Sequence, residues 1–600
     1  MEQASRLFLD VEQSVTGRSW RDRLDLPGQA RAQALVQQQG VSDILARILA
    51  GRDIGPEQAE SYLEPAIRTL MPDPATLVAM DAAAARLADA VEKQETIAIF
   101  GDYDVDGACS SALLGEYLRQ CEAPYLIHIP DRIFEGYGPN AEAIANLAGQ
   151  GATLLVSVDC GTASFEPFAE AKRLGMDVVV LDHHQTGETL PEVVALVNPN
   201  RQDDLSGLGH LCAAGVVFMA LAALSRTLRA RGFWSPARQE PDLLSMLDLV
   251  ALATVADVVP LAGLNRAFVT KGLAVMQLRG RPGLRALFDC ARASGPPRAF
   301  MLGYLIGPRI NAGGRIGDAG LGARLLLEQD ESEAMRIAAE LDRLNKERQA
   351  IETATREEAE AEVLAETGSS GGGSVIVSAG DDWHPGVAGL VAAHLKEKFR
   401  KPAFAIAFSG TQGTGSGRSI PGVDLGAAVR AAVDSGLLLR GGGHAMAAGL
   451  TIERNRLGAF RAYIDERLAK SVGSARGRNA LYVDAALTAR GLRPELVEEM
   501  EKAGPFGAGN PEPVIALPAH RIDDVRIVGT DHVRVRLAAA DKGSVDGIAF
   551  RSASSELGKA LLGMRGAPAH IAGTLNIDRW GGTPRVQIRI IDAAKVAAGP

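Results

Sequence analysis

The sequence predicts an α/β protein in which two α/β domains are joined by a long helix and followed by a β-rich C-terminal domain. Short apolar runs alternate with helical stretches between residues 96 and 182, the pattern of a parallel sheet. A charged stretch rich in Glu and Ala, with helical periodicity, covers residues 331–366 and ends in a Gly- and Ser-rich linker. Beyond about residue 480, apolar residues alternate with basic ones, which is typical of half-buried strands.

The first α/β domain is predicted at residues 81–330, after a polar, helical N-terminal extension at residues 1–80. It begins with a helix from Asp81, the expected N-cap, to about Glu95. The last two elements predicted in this domain are apolar helices at residues 211–230 and 241–256. The elements before them are strands at residues 96–100, 153–159 and 177–182, and helices around residues 108–120, 141–149 and 164–175.

The rest of the chain divides at the linker. A connecting helix and the linker are predicted at residues 331–373, with apolar residues from Ile337 to Ile351 on one helical face. The last domain, residues 476–600, has predicted strands at residues 532–537 and 584–590. The second α/β domain lies between them at residues 374–475, with strands at residues 374–378 and 403–408 and helices near residues 386–399, 423–435 and 455–470.

Composition restricts the class of protein. With 600 residues, the chain is too long for one hydrophobic core. Its five cysteines include no Cys-x-x-Cys pair, which favours a reducing, cytoplasmic location over a disulfide framework. The first residues lack a signal-peptide pattern and no apolar run reaches about 18 residues, so we expect no membrane segment. The net charge of −10 argues against nucleic-acid binding, but residues 521–600 hold 12 Lys and Arg against 8 Asp and Glu.

Three acids follow the first buried strand in the segment Asp-Tyr-Asp-Val-Asp-Gly, residues 102–107. An EF-hand loop begins in the same way, but it needs a Glu at its twelfth position, where this chain has Leu113. The other alternative is a solvated acidic turn. Carboxylates as close as Asp102, Asp104 and Asp106 repel one another unless a cation balances them, which favours a metal site.

Two further strands and one helix also end in acids. Asp159 ends the second strand, Asp182 ends the third, and Asp257 ends an apolar helix. A lone Asp is most often structural, but ligands collect at the carboxyl ends of parallel strands, and four clusters in one domain favour a shared site. Carboxylates together with His183 and His184 suit Mn²⁺, with Mg²⁺ as the alternative. Zinc is less favoured, because Cys160 is the one adjacent thiol.

These four segments, in this order, resemble the motifs of the DHH phosphoesterase superfamily. The resemblance implies a site for two Mn²⁺ or Mg²⁺ ions, which activate water for in-line attack on a phosphodiester and stabilise the departing oxygen. It implies that Asp182 orients or shares in the cluster, and that His184 contacts the scissile phosphate. The ligands that it implies are Asp104, Asp106, Asp159, His183 and Asp257.

The first motif departs from the superfamily at Phe100. Many members carry a His at this position, two residues before the first acid. One metal must therefore be held differently in this chain, and Asp102 is our candidate for the replacement ligand. The division of ligands between the two ions stays open at this point.

Five further segments resemble the RecJ family within this superfamily. The similarity runs from about residue 80 to 520 and implies a DHH catalytic domain at residues 81–330 and a DHH-associated domain at residues 374–475. The C-terminal segment resembles an OB-fold, which implies an OB-like barrel within residues 476–600. The family implies a 5′→3′ exonuclease of single-stranded DNA, acting in repair and recombination, with a single-strand-binding protein as partner. We expect a monomer. The five segments are residues 130–139, 307–315, 382–389, 415–419 and 441–449.

The same segments contain the candidate substrate-binding residues. Glycines let backbone N–H groups approach a phosphate, and Arg supplies a bidentate fork. The alternative for the glycine clusters is tight turns or helix caps. The candidates are Arg132, Ser416 and Arg418 for a terminal 5′ phosphate, Asn311 and Arg315 for the strand, and His444 in the last glycine segment.

The C-terminal strands present arginines that could line a groove for the DNA backbone. The alternative is a solvated strand face. Aromatic residues are sparse there, since Phe550 and Trp580 are the only Phe, Tyr or Trp after residue 520. Binding would then depend on electrostatics and weaken with salt. The arginines in question are Arg534, Arg536, Arg585 and Arg589.

Two other functions remain open from the sequence. A phosphodiesterase of dinucleotides or oligoribonucleotides would share the metal chemistry without needing a C-terminal binding domain. A DNA-binding scaffold with a relict site would need no intact metal cluster, and the presence of all the acids and both histidines argues against it.

Overall fold

The structure is a computed structural model that describes residues 6–132, 134–367, 372–476, 479–579 and 584–596. The first residues of the predicted Gly- and Ser-rich linker and Trp580 lie outside these ranges.

The N-terminal extension packs on the C-terminal part of the chain. Its helices share one apolar core with the C-terminal strands, where Leu35 and Ile48 pack in the same cluster as Ile571. Its single strand, β1, pairs in parallel with residues 480–483. The first and last segments of the chain therefore form one unit. The elements are β1 (Ser19–Asp22), α1 (Leu26–Gln39), α2 (Asp43–Ala50), α3 (Pro56–Leu63) and α4 (Ile67–Leu70).

A five-stranded parallel sheet forms the centre of the first α/β domain. The helices that cover it are α5 (Met80–Lys93), α6 (Val105–Gln120), α7 (Ala141–Gly149), α8 (Phe165–Arg173) and α9 (Ala213–Ala230). The strand order is β3 (Tyr125–His128), β2 (Thr96–Gly101), β4 (Ala152–Val158), β5 (Asp177–Leu181) and β6 (Ala195–Val197).

Both faces of this sheet are buried, as parallel sheets require. Alternate strand residues face opposite layers, so Ile97 and Ile99 pack with α5, α6 and α9, whereas Ala98 and Phe100 pack with α7 and α8. The predicted N-cap of the first helix was wrong. Met80 is fully buried, and the helix begins there, after Ala79, with Asp81 in its first turn.

Helices complete the first α/β domain beyond the sheet. Within the described residues, α9 is the one helix long and apolar enough to cross a membrane, but 72% of it is buried inside the protein, as in a core helix. Residues Leu302–Ile306 form a short π-helix between two of the others. The remaining helices are α10 (Leu247–Ala256), α11 (Gly263–Gln277), α12 (Pro282–Cys290), α13 (Ala299–Met301), α14 (Gly307–Ile316), α15 (Leu321–Leu327) and the long connecting helix α16 (Glu331–Thr367).

A mixed five-stranded sheet forms the centre of the second α/β domain. The elements of this domain are β7 (Ile376–Asp381), α17 (Pro385–Phe399), β8 (Ala403–Ser409), β9 (Gln412–Arg418), α18 (Leu425–Asp434), β10 (Arg440–Gly443), β11 (Ala447–Glu453) and α19 (Leu457–Arg476). The strand order is β10-β11-β9-β8-β7, in which only β7 and β8 are parallel.

The glycine clusters of this domain are mostly strand, not the turns or caps of the alternative interpretation. Glycines alternate along β9 because bulky neighbours occupy the space beside them. A Cβ at Gly417 would lie 2.5 Å from the Phe404 ring, and one at Gly415 would lie 2.8 Å from Ile406. The glycines therefore let aromatic residues of β8 cross over β9.

The C-terminal domain is a closed barrel. Strand β14 pairs with both β15 and β17, which closes the order β14-β15-β16-β18-β17 on itself. The predicted fold class, with two α/β domains joined by a long helix and an OB-like barrel, is confirmed. The elements are β12 (Ala480–Val483), β13 (Ala485–Ala486), α20 (Pro494–Glu501), β14 (Ile515–Val528), β15 (His532–Ala538), β16 (Ser544–Ala549), α21 (Glu556–Gly563), β17 (Pro568–Asp578) and β18 (Arg585–Lys595).

Arg266 joins three parts of the chain. It lies on α11, is 2% exposed, and donates to the carbonyl oxygens of Tyr62 at 2.7 Å and of Ala503 at 3.1 Å. Its guanidinium also lies 3.8 Å from the centre of the Tyr62 ring. Residues 502–504 follow α20, so the guanidinium meets the negative end of that helix. Arg266 thus fixes the N-terminal extension and the barrel side against the catalytic domain.

Candidate active site

Three acids meet at one edge of the parallel sheet. The strand register aligns Gly101 of β2 with Val158 of β4, and Val158 with Leu181 of β5. The residues that directly follow these strands are Asp102, Asp159 and Asp182, respectively. The parallel register alone therefore places these three carboxylates side by side, as expected from the sequence.

The first motif turns directly into α6. Asp104 caps this helix, accepting from the N–H groups of Asp106 at 2.9 Å and Gly107 at 3.1 Å. Gly107 has no room for a side chain, because a Cβ there would lie 2.3 Å from the carbonyl oxygen of Asp102. Asp106 is 1% exposed and accepts from the N–H groups of residues 213 and 214, at the N-terminus of α9. The helix dipole of α9 therefore stabilises this buried carboxylate.

His183 presents one ring nitrogen to the acids. Its Nδ1 lies 3.1 Å from the carbonyl oxygen of Leu211, an acceptor, so Nδ1 carries the proton. Its Nε2 lies 3.3 Å from Asp159 Oδ1, 3.7 Å from Asp106 Oδ2 and 3.8 Å from Asp257 Oδ2. A carbonyl oxygen that fixes the tautomer from behind the ring in this way is typical of metal-binding histidines.

The ligand atoms form overlapping groups, each within 4.8 Å. One group is Asp106, His183 and Asp257, a second is Asp102, Asp104 and Asp159, and a third joins Asp159 with both histidines. Asp159 and His183 each belong to two of these groups, so they lie at the centre of the cluster. The backbone of Asp159 has φ of 60°, a left-handed conformation that is costly outside glycine and clusters at functional sites.

Phe100 does not contribute to the site. Its ring is fully buried in the layer of α7 and α8, with its centre 5.1 Å from that of the His128 ring. Asp102, 5% exposed, stands in the second group of ligand atoms. Asp102 therefore stays our predicted ligand in place of the missing histidine.

The electrostatics of the acid cluster favour the binding of cations. Burial raises the pKa of Asp102, and the charge of Asp104 raises it further. Burial and the neighbouring carboxylates likewise raise the pKa values of Asp106 and Asp159, and raise that of Asp257 to about 8. Divalent ions would relieve this repulsion, so the residues fit a two-ion site.

Asp182 is held by donors rather than left open for a metal. Its Oδ2 accepts from Thr162 Oγ1 at 2.6 Å, and its Oδ1 lies 2.8 Å from His184 Nδ1. Burial raises the pKa of Asp182, but the bonds from His184 and Thr162 outweigh burial and lower it overall. Burial lowers the pKa of His184, yet Asp182 and the other acids raise it to about 9. Asp182 thus orients His184 and raises the pKa of its ring.

Residues outside the predicted set also build the site. The Tyr137 hydroxyl lies 3.3 Å from the His184 ring nitrogens, and the Asn198 amide donates to Thr162 Oγ1 and to the carbonyl oxygen of His184, each at 2.9 Å. The segment at residues 130–139 was singled out from the sequence, but only for Arg132. No pattern marked Thr162 or Asn198, since each acts through a residue that lies far from it in the chain.

Three predicted arginines converge beside the acids. Arg418 Nη1 donates to Ser416 Oγ at 2.9 Å, and Arg132 lies 5.0 Å from the centre of the Tyr103 ring. Burial lowers the pKa of Arg315 to about 10, and the charges of Arg132, Arg348 and Arg418 contribute. Arg132 and Arg315 line a pocket of about 140 Å³ together with His384. A cluster of cationic side chains of this kind favours the binding of an anion.

The remaining predicted residues lie around this cleft. Asn311 is partly buried on α14, one helical turn before Arg315. The same helix touches the first motif, since a Cβ at Gly314 would lie 2.5 Å from the carbonyl oxygen of Tyr103. His444 is an exposed residue. Partial burial of its ring lowers its pKa, and the charges of the two active-site histidines contribute. The second α/β domain therefore faces the cluster of acids across the cleft.

The barrel arginines divide into two pairs. Arg534 lies 3.0 Å and Arg536 lies 3.5 Å from Asp546, so this pair is partly neutralised. Arg585 and Arg589 are exposed on β18. Phe550 is 49% exposed and touches His532 edge to face.

Comparisons with known proteins identify all three domains. The DHH family N-terminal domain matches residues 96–254, the DHHA1 domain matches residues 372–470, and the RecJ OB domain matches residues 483–592.

Whole-chain relatives agree with the domains. The chain is 37% identical to the single-stranded-DNA-specific exonuclease RecJ of Dickeya dadantii, over 84% of this chain and 89% of the relative. It is 32% identical to the protein of that name from Bacillus subtilis, over 96% and 71% of the two chains.

Solved structures support the same assignment and the choice of metal. The crystal structure of RecJ from Thermus thermophilus in complex with Mn²⁺ has a TM-score of 0.79 and 30% identity, covering 96% of this chain and 80% of that one. The complex with Mg²⁺ has a TM-score of 0.73 at the same identity, covering 96% and 79%. The chain belongs to the RecJ family of single-stranded-DNA-specific exonucleases.

Proposed function

We propose that this protein is a metal-dependent exonuclease that digests single-stranded DNA from its 5′ end to mononucleotides, in repair and recombination. The single observation that carries the polarity is the cluster of cations beside the cluster of acids. Burial lowers the pKa values of Arg315 and Arg418, and the charge of Arg132 lowers both further, so the three side chains share a small region. A terminal phosphate held there would leave the first phosphodiester over the carboxylates.

Two groups of residues would hold the ions, Mn²⁺ or Mg²⁺. Asp106, His183 and Asp257 suit one ion, and Asp102, Asp104 and Asp159 suit the other. When bound, two such ions activate the attacking water and stabilise the departing oxygen.

The chain's own residues orient and stabilise the substrate. Asp182 raises the pKa of His184, so that a protonated ring would face the site and stabilise the charge developing on the phosphate. Tyr137 packs edge to face on the His184 ring, at 5.7 Å between ring centres, which fixes the ring's position. The carbonyl oxygen of Leu211 holds the tautomer of His183.

A terminal phosphate would meet a preformed set of donors. Ser416 and Arg418 lie on β9 and Arg132 lies across the cleft, so the pocket joins both α/β domains. Gly389 leaves room for the Arg418 guanidinium, since a Cβ there would lie 2.7 Å from Nη2. Asn311 and Arg315 on α14 would contact the following nucleotides, and His444 would close the cleft from the opposite side.

The test is digestion of a 5′-phosphorylated single strand, labelled at either end, in Mn²⁺. Duplex DNA, the RNA equivalent and dinucleotides are the parallel substrates. We expect mononucleotides released from the 5′ end of the single DNA strand. Release from 3′ ends only would overturn the polarity, and rapid cleavage of dinucleotides with an inert long strand would favour a small-substrate phosphodiesterase.

The 5′-phosphate pocket has its own test. Arg418→Gln should reduce the preference for a 5′ phosphate over a 5′ hydroxyl at least tenfold, because charge-assisted hydrogen bonds to phosphate contribute ~1.5–3 kcal/mol each. Arg454→Gln is the matched control, since Arg454 lies in the same domain but pairs with Asp381 at the surface.

We further propose a cytoplasmic monomer that works with a single-strand-binding protein. The five cysteines are all free, which suits a reducing compartment. Sedimentation of the purified chain checks the oligomeric state, and titration with a single-strand-binding protein checks the partner.

A further inference from the structure

Two aromatic side chains stack on the surface of the catalytic domain, outside the metal site. Phe300 and Tyr304 have ring centres 4.7 Å apart and planes 22° apart. They are 53% and 71% exposed. Exposed large aromatics in contact with each other leave apolar area in water, and such patches mark binding surfaces.

The backbone beneath the pair is unusual. Phe300 lies on α13, and Tyr304 lies in the π-helix Leu302–Ile306 that continues into α14. Residues four apart share one face of a helix, so both rings project from the same side. Short π-helices occur often at functional sites.

The pair lies between the metal cluster and the barrel. On one side, the π-helix packs on the end of α10, where Cβ atoms at Gly303 and Gly307 would lie 3.5 Å from Val255 and Ala256, respectively. Asp257 follows directly in the chain. On the other side, Arg298 bonds to Glu501 of α20 at 3.2 Å, and α20 leads into the barrel.

We propose that Phe300 and Tyr304 form a stacking platform for the bases of the single strand between the metal centre and the barrel. The inference deepens the proposed function and depends on it. Every base has a π-face, so a pair of open rings binds a strand without sequence preference. A platform on the catalytic domain would add to the stacking that Phe550 offers, the one Phe, Tyr or Trp that the structure describes after residue 520.

The test pairs protein and substrate changes. The full chain and the double variant Phe300→Leu with Tyr304→Leu digest long 5′-phosphorylated strands in Mn²⁺. Each strand carries one abasic site, moved stepwise from the 5′ end. Leucine keeps apolar volume and removes the π-face. For the unmodified chain, we expect one window of positions at which an abasic site raises the KM roughly tenfold, the size of one lost base stack.

In the double variant, the KM on intact strands should rise by a similar factor, and the abasic window should disappear, with kcat unchanged. With Trp instead of Leu at position 304, the variant should regain the window. Tyr482→Leu is the control that should change nothing, since Tyr482 is an exposed tyrosine on β12. A window that persists in the double variant, or unchanged KM on intact strands, overturns the platform. A change in sedimentation with unchanged digestion would also overturn it and assign the rings to a protein interface. Mononucleotide release by the unmodified chain reports on the proposed function separately.

Discussion

His183 Nδ1 lies 3.1 Å from the carbonyl oxygen of Leu211, and this contact turns Nε2 toward the acids. Leu211 precedes the helix α9, whose N-terminal N–H groups bind Asp106. One short segment thus positions two candidate ligands of the same ion, although they come from different motifs.

Replacing His183 should therefore remove metal binding as well as activity. For His183→Ala, we expect Mn²⁺ affinity and the rate of mononucleotide release each to fall by more than ~100-fold, the upper range for changes to the shell behind a ligand. Calorimetric titration and the digestion assay measure the two effects. Full Mn²⁺ affinity in this variant would remove His183 from the set of ligands.

Thr162→Val separates orientation from metal binding. The change removes the 2.6 Å bond to Asp182 and keeps the side-chain shape. We expect activity to fall ~10–100-fold with Mn²⁺ affinity unchanged, because the lost bond orients His184 rather than an ion. Thr153→Val, which loses a bond to Glu95 at the surface, is the control. Equal losses in both variants would contradict the assigned role.

Metal should stabilise the fold more strongly as the pH rises. Folding raises the pKa values of Asp102, Asp106, Asp159 and Asp257, the last to about 8. A carboxyl group with a raised folded-state pKa stabilises the fold fully below its unfolded pKa of about 4 and loses that contribution as the pH rises through the folded value. The gain in Tm on adding Mn²⁺ should therefore grow between about pH 5 and about pH 8. Differential scanning calorimetry with and without Mn²⁺ measures it, and a gain independent of pH would refute the account.

Gly107→Ala should disrupt the first motif. The added Cβ would lie 2.3 Å from the Asp102 carbonyl oxygen, so the loop must shift and carry its acids with it. We expect a loss of activity of at least ~100-fold, since displacements of about 1 Å at a catalytic site cost this much. Gly149→Ala, at a helical position with open space around it, should keep full activity. Comparable digestion by both variants would show that the loop tolerates the Cβ.

Arg266→Met should loosen the junction of the three parts. The partly buried carbonyl oxygens of Tyr62 and Gly504 would lose their donor, at ~1–3 kcal/mol for each unsatisfied group. We expect the free energy of unfolding in urea to fall by ~3 kcal/mol or more. A second transition should appear as the barrel separates from the catalytic domain. Arg31→Met, which breaks a surface pair with Asp53, should change stability by less than ~0.5 kcal/mol. A single unchanged transition for Arg266→Met would contradict this role of Arg266.

The strand-end acids could be predicted because a parallel sheet brings the carboxyl ends of its strands together whatever the loops do. Asp102, Asp159 and Asp182 needed only the strand assignments. The glycine segment at residues 415–419 was harder to interpret, since glycines in a turn and glycines crossed by aromatic rings look alike in one sequence. Its strand form depends on Phe404, which lies on a neighbouring strand.

Residues that act through distant partners could not be predicted from the sequence. Thr162 is marked by its bond to Asp182, and Tyr137 by its contact with His184, and both depend on how loops close over the sheet. Phe300 and Tyr304 look like core residues of a helix until their exposure is known.

The shared core of the first and last segments has a consequence for biosynthesis. Trp20 donates to Asp592 at 3.0 Å, across 572 positions of the chain. A ribosome adding about 5–20 residues per second needs roughly half a minute to two minutes between these two residues. Throughout that time, apolar side chains of the nascent N-terminal helices, such as Leu35 and Ile48, have no partner strands to cover them. The N-terminal helices of a newly made chain therefore cannot complete their core until the barrel strands have been synthesised.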